Sequence, residues 1–278
     1  MSAAAEPFDA AVAESLLAFW ADAGVDAMLL DEAVDRIEAG KILPPVRQAA
    51  PAPSLAPVPA TRAFGGGQAD FGPAVAQAQA LATAAQDLEA LAAAIAGFEG
   101  CPLRYEGAAT KAVVYRGDPK APLVVIGEGP GADEDAQGQP FVGRAGKLLD
   151  RMLAAAGLTD RVLITNTVFW RPPGNRTPTL AEQAICAPFL ERIIQLVQPR
   201  MLLLAGGASA KSVLKRDEGI LSLRGRWFEW KSADGSLELP AMPTLHPAFL
   251  LRQPGAKKKA WTDLLTLTER LDRPERPL

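Results

Sequence analysis

Histidine, cysteine and tyrosine are nearly missing from these 278 residues, which hold one His, two Cys and two Tyr. Two cysteines exclude a disulfide framework of the kind that staples small secreted domains. No run of about 18 or more apolar residues occurs, so the sequence predicts no membrane-spanning helix. The N-terminus, MSAAAEPFDAAVAE, has neither the basic start nor the apolar centre of a secretory signal, which makes a cytoplasmic location the expectation. Neither a G-x-x-x-x-G-K-[ST] phosphate loop nor a G-x-G-x-x-G dinucleotide fingerprint is present, and this argues against a nucleotide-dependent enzyme.

What is there is an apolar fraction of 49%, enough for one substantial domain with appendages, and an uneven distribution of charge. Residues 1–100 hold 13 acidic and 4 basic side chains, whereas residues 101–278 hold 19 acidic and 25 basic ones. An acidic arm on a basic domain is a pattern of proteins that meet nucleic acid, although a solvated surface gives the same counts. Apolar positions at helical spacing between Phe8 and Ile37, divided by Gly24, predict two short helices in an acidic N-terminal segment, 1–40. Seven prolines and a GGG triplet within residues 41–75 cannot bury a core and predict a flexible linker over 41–73. The main domain is expected over 74–278, opening with an alanine-rich helix at 74–96.

From residue 101 onward apolar strands alternate with helical patterns, the signature of a parallel sheet covered on both faces. Strands are predicted near 122–127, 161–166, 200–205 and 241–245, and helices near 143–156, 179–197, 207–214 and 256–271. RGRWFEWK (224–231), a SADG turn and LELPAM predict a hairpin leading into the last strand. The expectation is a three-layer α/β sandwich with a four-stranded parallel sheet, helices on both faces, and an N-terminal helical extension. Ligands of such sheets bind beyond the carboxyl ends of the strands, and the three polar clusters of the chain all fall there.

The first cluster, LVVIGEGPGADEDAQGQPFVGRAG (123–146), is the stretch around which the chain is organised. Its strand runs into Gly127, Gly129, Pro130 and Gly131, whose bare backbone N–H groups can hold an anion or a base edge. Gly143 to Leu149 then open a helix whose N-terminal dipole favours negative charge. The second cluster is TNTVFWRPPGNRTP (165–178), where the amide of Asn166 can read a base edge or merely close a turn. The third is TLHPAFLLRQPGAKKKAW (244–261), containing His246, the one histidine, in a position read as a loop. Leu250, Leu251 and Arg252 read there as an exposed apolar wedge with a cation. Lys257, Lys258 and Lys259 supply a basic helix start.

These residues resemble family 4, the thermostable type, of the uracil-DNA glycosylase superfamily. The resemblance covers roughly residues 98–270 and rests on GEGPGADEDAQGQPFVGRAG, TN with RPPGNRTP, the RG of Arg224 and Gly225, and HPAFLLR, all in family order. It implies an enzyme that flips uracil out of DNA and hydrolyses its N-glycosidic bond, leaving an abasic site. It implies a pocket of Gly127, Glu128 and Gly129 backbone, Phe141 stacked on the base, Asn166 pairing with the uracil edge against cytosine, and Glu134 crowding a 5-methyl group. His246 would hydrogen-bond the uracil carbonyl as charge builds on the departing base. Where other superfamily members carry a water-activating aspartate this chain has Gly129, so Glu128, Glu134 and Asp135 are the candidate carboxylates. Arg171, Arg176, Leu250, Leu251, Arg252, Lys257 and Lys258 would contact DNA.

The resemblance also implies a 4Fe-4S cluster held by four cysteines, and here the chain departs from it. Cys101 and Cys186 stand at two of those positions, with Phe98 and Trp170 at the others. Two thiolates cannot hold a cubane, and large apolar side chains predict a hydrophobic plug in its place, with no cofactor. Uracil-containing DNA is the expected partner of a monomer, and residues 1–40 are a candidate docking segment for a protein. Two other readings stay open: a catalytically silent DNA-binding relative that recruits partners through the arm, and an α/β enzyme whose GEGPG loop takes a phosphorylated small molecule.

Overall fold

A six-stranded sheet carries the fold in the computed structural model, which describes residues 71–106 and 109–273. Its strands are β1 (Tyr115–Gly117), β2 (Leu123–Gly127), β3 (Val162–Asn166), β4 (Met201–Ala205), β5 (Phe228–Lys231) and β6 (Glu238–Thr244), in the spatial order β1-β3-β2-β4-β6-β5. The helices are α1 (Gly72–Ala84), α2 (Leu88–Gly97), α3 (Ala132–Gln137), α4 (Arg144–Ala155), α5 (Leu180–Val197), α6 (Gly207–Leu214), α7 (Ile220–Leu223), α8 (Pro247–Arg252) and α9 (Lys257–Leu271). Every described residue belongs to the unit Gly66–Leu278. The two helices expected within 1–40, and the linker as far as residue 70, lie outside the described residues.

The middle strands β3, β2, β4 and β6 are parallel, as the alternation of elements predicts, and every residue of β2, β3 and β4 is buried. Side chains alternate across the sheet, so Val124, Ile126, Leu163, Leu202 and Leu204 point to one face, where they meet Leu91, Ile95, Ile185 and Phe189 of α2 and α5. Leu123, Val125, Ile164, Met201 and Leu203 point to the other, against Leu149 and Leu153 of α4 and Leu264 and Leu267 of α9. Each fully buried aliphatic side chain contributes roughly 1.5–3 kcal/mol, so two such layers fix the register of all four strands.

Two edge strands extend the sheet beyond the four expected. β5 pairs antiparallel with β6 as the hairpin predicts, but β1 pairs antiparallel with β3 and has no sequence signal, being three residues long. The helix expected over 74–96 is two helices: Asp87 Oδ1 accepts from the Ala90 N–H at 2.8 Å and starts a second one. The first begins at Gly72 with Pro73 in its opening turn, a position where the missing N–H costs nothing, so the expected boundary at 74 falls inside a helix.

Candidate functional site

Beyond the carboxyl ends of β2, β3 and β6 lies a pocket of about 490 Å³, lined among others by Glu128, Glu134, Phe141, Asn166, His246 and Arg252. All three polar clusters of the sequence meet in it. A larger groove of about 960 Å³ runs along β5, α5 and α6. Several of its charges are engaged locally: Arg216 pairs with Glu218, Lys231 pairs with Glu238, and Arg216 and Arg226 lie over the Phe228 ring.

Close packing against glycine shapes the smaller pocket. Gly127 pairs with Asn166 across β2 and β3, and a Cβ at 127 would lie 2.4 Å from the Phe141 ring and 2.5 Å from Asn166 Oδ1. Only glycine lets the ring lie over the strand end. Phe141 is held at φ 57, a left-handed conformation uncommon for a bulky residue, and a Cβ at Gly146 in the first turn of α4 would run into the Phe141 carbonyl. Its ring centroid is 5.6 Å from that of His246, and Gly206 at the end of β4 packs beneath the same histidine.

His246 caps α8: its Nδ1 accepts from the Ala248 N–H at 3.1 Å, which leaves the proton of the neutral ring on Nε2. Burial pushes its pKa down to about 4, and the positive charge of Arg252 acts in the same direction against a weaker opposing pull from Glu134. The ring is therefore a neutral hydrogen-bond donor at pH 7. Asn166 has 1% of its surface exposed, and neither its Oδ1 nor its Nδ2 has a hydrogen-bond partner. Leaving a buried donor and acceptor unpaired costs about 1–3 kcal/mol each, so the amide waits for a group that supplies both complements.

The three candidate carboxylates separate by what they touch. Glu134 accepts from the Gly131 N–H at 3.1 Å and the Gly143 N–H at 2.9 Å, tying the glycine loop to the start of α4. Asp135 accepts from the Thr110 N–H and hydroxyl, both at 2.7 Å, and from the Lys111 N–H at 3.2 Å, away from the pocket lining. Burial raises its pKa, but these bonds outweigh that and hold the carboxyl below the usual range. Glu128 lines the pocket, and its backbone carbonyl accepts from the Thr167 hydroxyl at 2.6 Å while its side-chain oxygens have no hydrogen-bond partner among the described residues. A Cβ on Gly129 would meet Val168 Cγ2 at 2.9 Å, which closes that position to a larger side chain.

The rim differs from expectation at two positions. HPAFLLR is helix α8 rather than a loop, and its turn buries Leu250 completely against Leu148, Leu245 and Ala260. Leu250 is thus a core residue and not part of an exposed wedge; Leu251 is half-buried and Arg252 exposed. Arg176 is held by Glu182 at 2.6 Å and Glu106 at 3.1 Å, so its charge braces the RPPGNRTP segment. Arg171 bonds Asn175 Oδ1 at 2.8 Å, and Lys257 and Lys258 are exposed at the first turn of α9.

Several supporting residues carried no sequence signal. Thr167 ties the second cluster to the first, and Asp263 accepts from the Thr244 hydroxyl at 2.7 Å and pairs with Arg224, bracing the end of β6 just before His246. A Cβ on Gly225 would meet Asp263 Oδ1 at 2.5 Å, which explains the glycine of the RG pair.

The family's cluster positions lie outside the pocket lining, in the core around Phe169 of the second cluster. Phe98, Cys101, Trp170 and Cys186 are all buried, at 2% exposure or less, together with Phe169 and Phe189. Ring centroids run 5.2 Å from Phe98 to Phe189, 6.4 Å from Phe98 to Trp170 and 6.3 Å from Trp170 to Phe169. Two thiols among four aromatic rings do not fit an iron-sulfur cube, and among the described residues no group of three His, Cys, Asp or Glu is placed to hold a metal. Both thiols are free and lie within the same core cluster as these rings.

Comparison with known proteins agrees with this geometry. The model of the uracil DNA glycosylase superfamily matches residues 114–265. The type-4 uracil-DNA glycosylase of Sulfurisphaera tokodaii is 38% identical over 60% of this chain and 78% of its own length. That of Pyrobaculum aerophilum is 37% identical over 64% and 91%, and that of Thermotoga maritima 41% over 55% and 77%.

Proposed function

This chain belongs to the uracil-DNA glycosylase superfamily and excises uracil from DNA, and we propose that the pocket beyond β2, β3 and β6 is where the excised base is held. The observation that carries the reading is the unpartnered amide of Asn166. Uracil presents a carbonyl acceptor beside an N–H donor on its pairing edge, and a buried amide with both groups free is the complement of that pair. Phe141, facing the same space, supplies a flat apolar face for the ring of a nucleotide turned out of the duplex.

Breaking the N1–C1′ bond sends its electron pair into the uracil ring, where negative charge gathers on the carbonyl oxygens. His246 donates its Nε2–H to that charge, and as a neutral donor fixed by Ala248 it does so without reorganisation. Water adds to C1′ of the oxocarbenium-like sugar, and the proton it loses balances the one uracil takes up. Glu128, the carboxylate whose oxygens are free in the pocket, orients that water and faces the positive sugar; Glu134 and Asp135 hold backbone instead. Arg171, Leu251, Arg252, Lys257 and Lys258 form the DNA rim. Cations at the start of α9 oppose the helix dipole, a cost of about 0.3–1 kcal/mol each that approaching phosphates relieve.

The protein works without an iron-sulfur cluster, its place being filled by Phe98 and Trp170. Iron at near-stoichiometric amounts in anaerobically prepared protein would remove that part of the reading. Action as a monomer in the cytoplasm, catalysis by residues 74–278, and docking of a protein partner by residues 1–40 complete the proposal, on composition alone.

The deciding experiment is alkali-revealed strand cleavage at one uracil placed opposite guanine, opposite adenine or unpaired. Release by wild type that Asn166→Ala and His246→Ala each sharply reduce supports the pocket. Undiminished release by both folded variants overturns it.

A further inference from the structure

The larger groove has no part in the pocket, and it is built around the edge of the sheet. β5 is the last strand in the spatial order and is bonded to β6 on one side alone. Its register sets Glu229 opposite Pro240, which has no N–H, so the pairs that exchange hydrogen bonds are Phe228 with Ala241 and Trp230 with Leu239. The alternation continues along β6, where the Pro243 carbonyl accepts from the Gly225 N–H at 2.9 Å and the Leu237 carbonyl from the Ser232 N–H at 3.0 Å. The N–H and C=O groups of Glu229 and Lys231 therefore point away from the sheet, and no bond among the described residues occupies them. Both faces of the sheet contribute to the groove. Phe228 and Trp230 pack with the core on the α5 side, and Trp227 packs with the core on the α9 side, so the groove wraps the free edge.

Cations gather where β5 begins. The guanidinium groups of Arg216 and Arg226 lie 5.2 and 5.5 Å from the Phe228 centroid, and that of Arg270 lies 4.3 Å from the Trp227 centroid. Arg216 has Glu218 as a partner, but Lys215, Arg226 and Arg270 make no ion pair among the described residues. Two guanidinium groups sharing one ring repel each other, and an incoming carboxylate relieves that repulsion. The acids of the groove are placed differently: Glu238 pairs with Lys231, Glu191 accepts from the Ala233 N–H at 2.7 Å beside the hairpin turn, and Glu229 stands on the edge itself. We propose that the β5 edge and its groove dock an extended, acidic segment of another protein, which adds to the sheet as a further strand. Its backbone pairs with the outward groups of Glu229 and Lys231, alternate apolar side chains lie over Phe228 and Trp230, and carboxylates reach Lys215, Arg226 and Arg270. A polypeptide fits this edge better than a nucleic acid strand, because a sugar–phosphate backbone has no N–H to donate to the exposed carbonyls.

The test selects a displayed library of random linear peptides on the full chain, then measures the most enriched peptide by fluorescence anisotropy against wild type, Arg226→Glu and Glu229→Pro. The enriched sequences should be acidic, with apolar residues at alternate positions, and the bound peptide should slow amide exchange over residues 228–231. Arg226→Glu should weaken binding about tenfold or more by reversing one charge. Glu229→Pro removes one outward N–H and leaves the bonds to β6 intact; it also removes a repelling acid, so charge alone would tighten binding. A loss of about tenfold or more in this variant is therefore a signature of backbone pairing. Circular dichroism spectra like that of wild type show that the variants are folded, and if Glu229→Pro is not, Arg226→Glu and the amide exchange decide. Selection that enriches no peptide, or basic ones, overturns the proposal, as does binding that either folded variant leaves unchanged. So does a labelled oligothymidylate that binds with the same sensitivity to Arg226→Glu, or self-association of the chain that Glu229→Pro abolishes. Binding is read without any uracil substrate, so its failure is distinct from failure of the glycosylase reading.

Discussion

The pocket and the aromatic nest flank the same stretch, residues 165–178, and are built on opposite terms. In the pocket a buried amide lacks partners, a phenylalanine sits at φ 57, and a histidine is held neutral by burial. In the nest four rings and two thiols pack in the core, and none of their atoms is among the fully buried side-chain nitrogens and oxygens left without a partner. The first region carries backbone strain and unmet hydrogen bonds, and the second supplies packing stability that offsets them. Substitutions in the two regions should therefore separate: stability changes without loss of chemistry in one, loss of chemistry with little or opposite change in stability in the other.

The largest effect is expected in the nest. Phe98→Ala removes a fully buried ring between Phe189 and Trp170 and should lower the unfolding free energy by about 3–5 kcal/mol in urea titration. Uracil release per folded molecule should stay near wild type, and a folded Phe98→Ala protein that is inert would break the separation. In the pocket, His246→Ala should reduce the single-turnover rate of uracil release about 10²–10³-fold, the usual loss for one donor to a developing anion. Melting should change far less. A drop confined to KM would mean that the ring binds the base without assisting its departure.

A smaller effect of opposite sign is expected at Asn166. Leucine has nearly the shape of asparagine and no polar atoms, so Asn166→Leu removes two unpaired groups from a site that is 1% exposed. Stability should rise by about 1–3 kcal/mol while uracil release disappears. If stability falls instead, the amide has partners in the free protein and is not waiting for a ligand.

Much of this contrast could be read before the structure was seen. Unbroken apolar runs marked β2, β3 and β4, because strands buried on both faces need no polar alternation, and the glycines at 127, 129 and 131 marked the loop because few other residues allow such close approach. What escaped was set by tertiary context. β1 has too few residues to show a period, and the split between α1 and α2 depends on one capping aspartate. Leu250 and Leu251 look alike in HPAFLLR, and only the turn of α8 sends the first into the core. Nor could the string GADEDAQG say which acid is free. Glu134 and Asp135 are taken by N–H groups of Gly143 and Thr110, contacts that arise only once the loop has closed on α4 and on the segment before β1.

The smallest expected effect is a pH dependence that belongs to the pocket alone. His246 has a pKa of about 4 in the folded protein against 6.5 when unfolded. Between those values the unfolded chain binds a proton that the folded chain does not, so stability falls as pH drops from 6.5 toward 4; above 6.5 the group contributes no slope. The steepest part approaches about 1.4 kcal/mol per pH unit. Carboxylates titrate in the lower part of the same range, but they are common to wild type and His246→Gln, so the difference between the two urea-unfolding curves isolates the histidine. That difference should be flat above pH 7 and grow as pH falls from 6.5 to 5, with His246→Gln the less sensitive protein. Phe98→Ala should instead run parallel to wild type across the whole range, because nothing in the nest changes charge there. The neutral donor also persists to low pH, so the uracil-release rate of wild type should hold from pH 7 down to about 5 rather than halving near 6.5. A midpoint near 6.5 in either measurement would mean that the ring is solvated like a surface histidine, and the contrast between a strained, desolvated pocket and a relaxed nest would lose its clearest member.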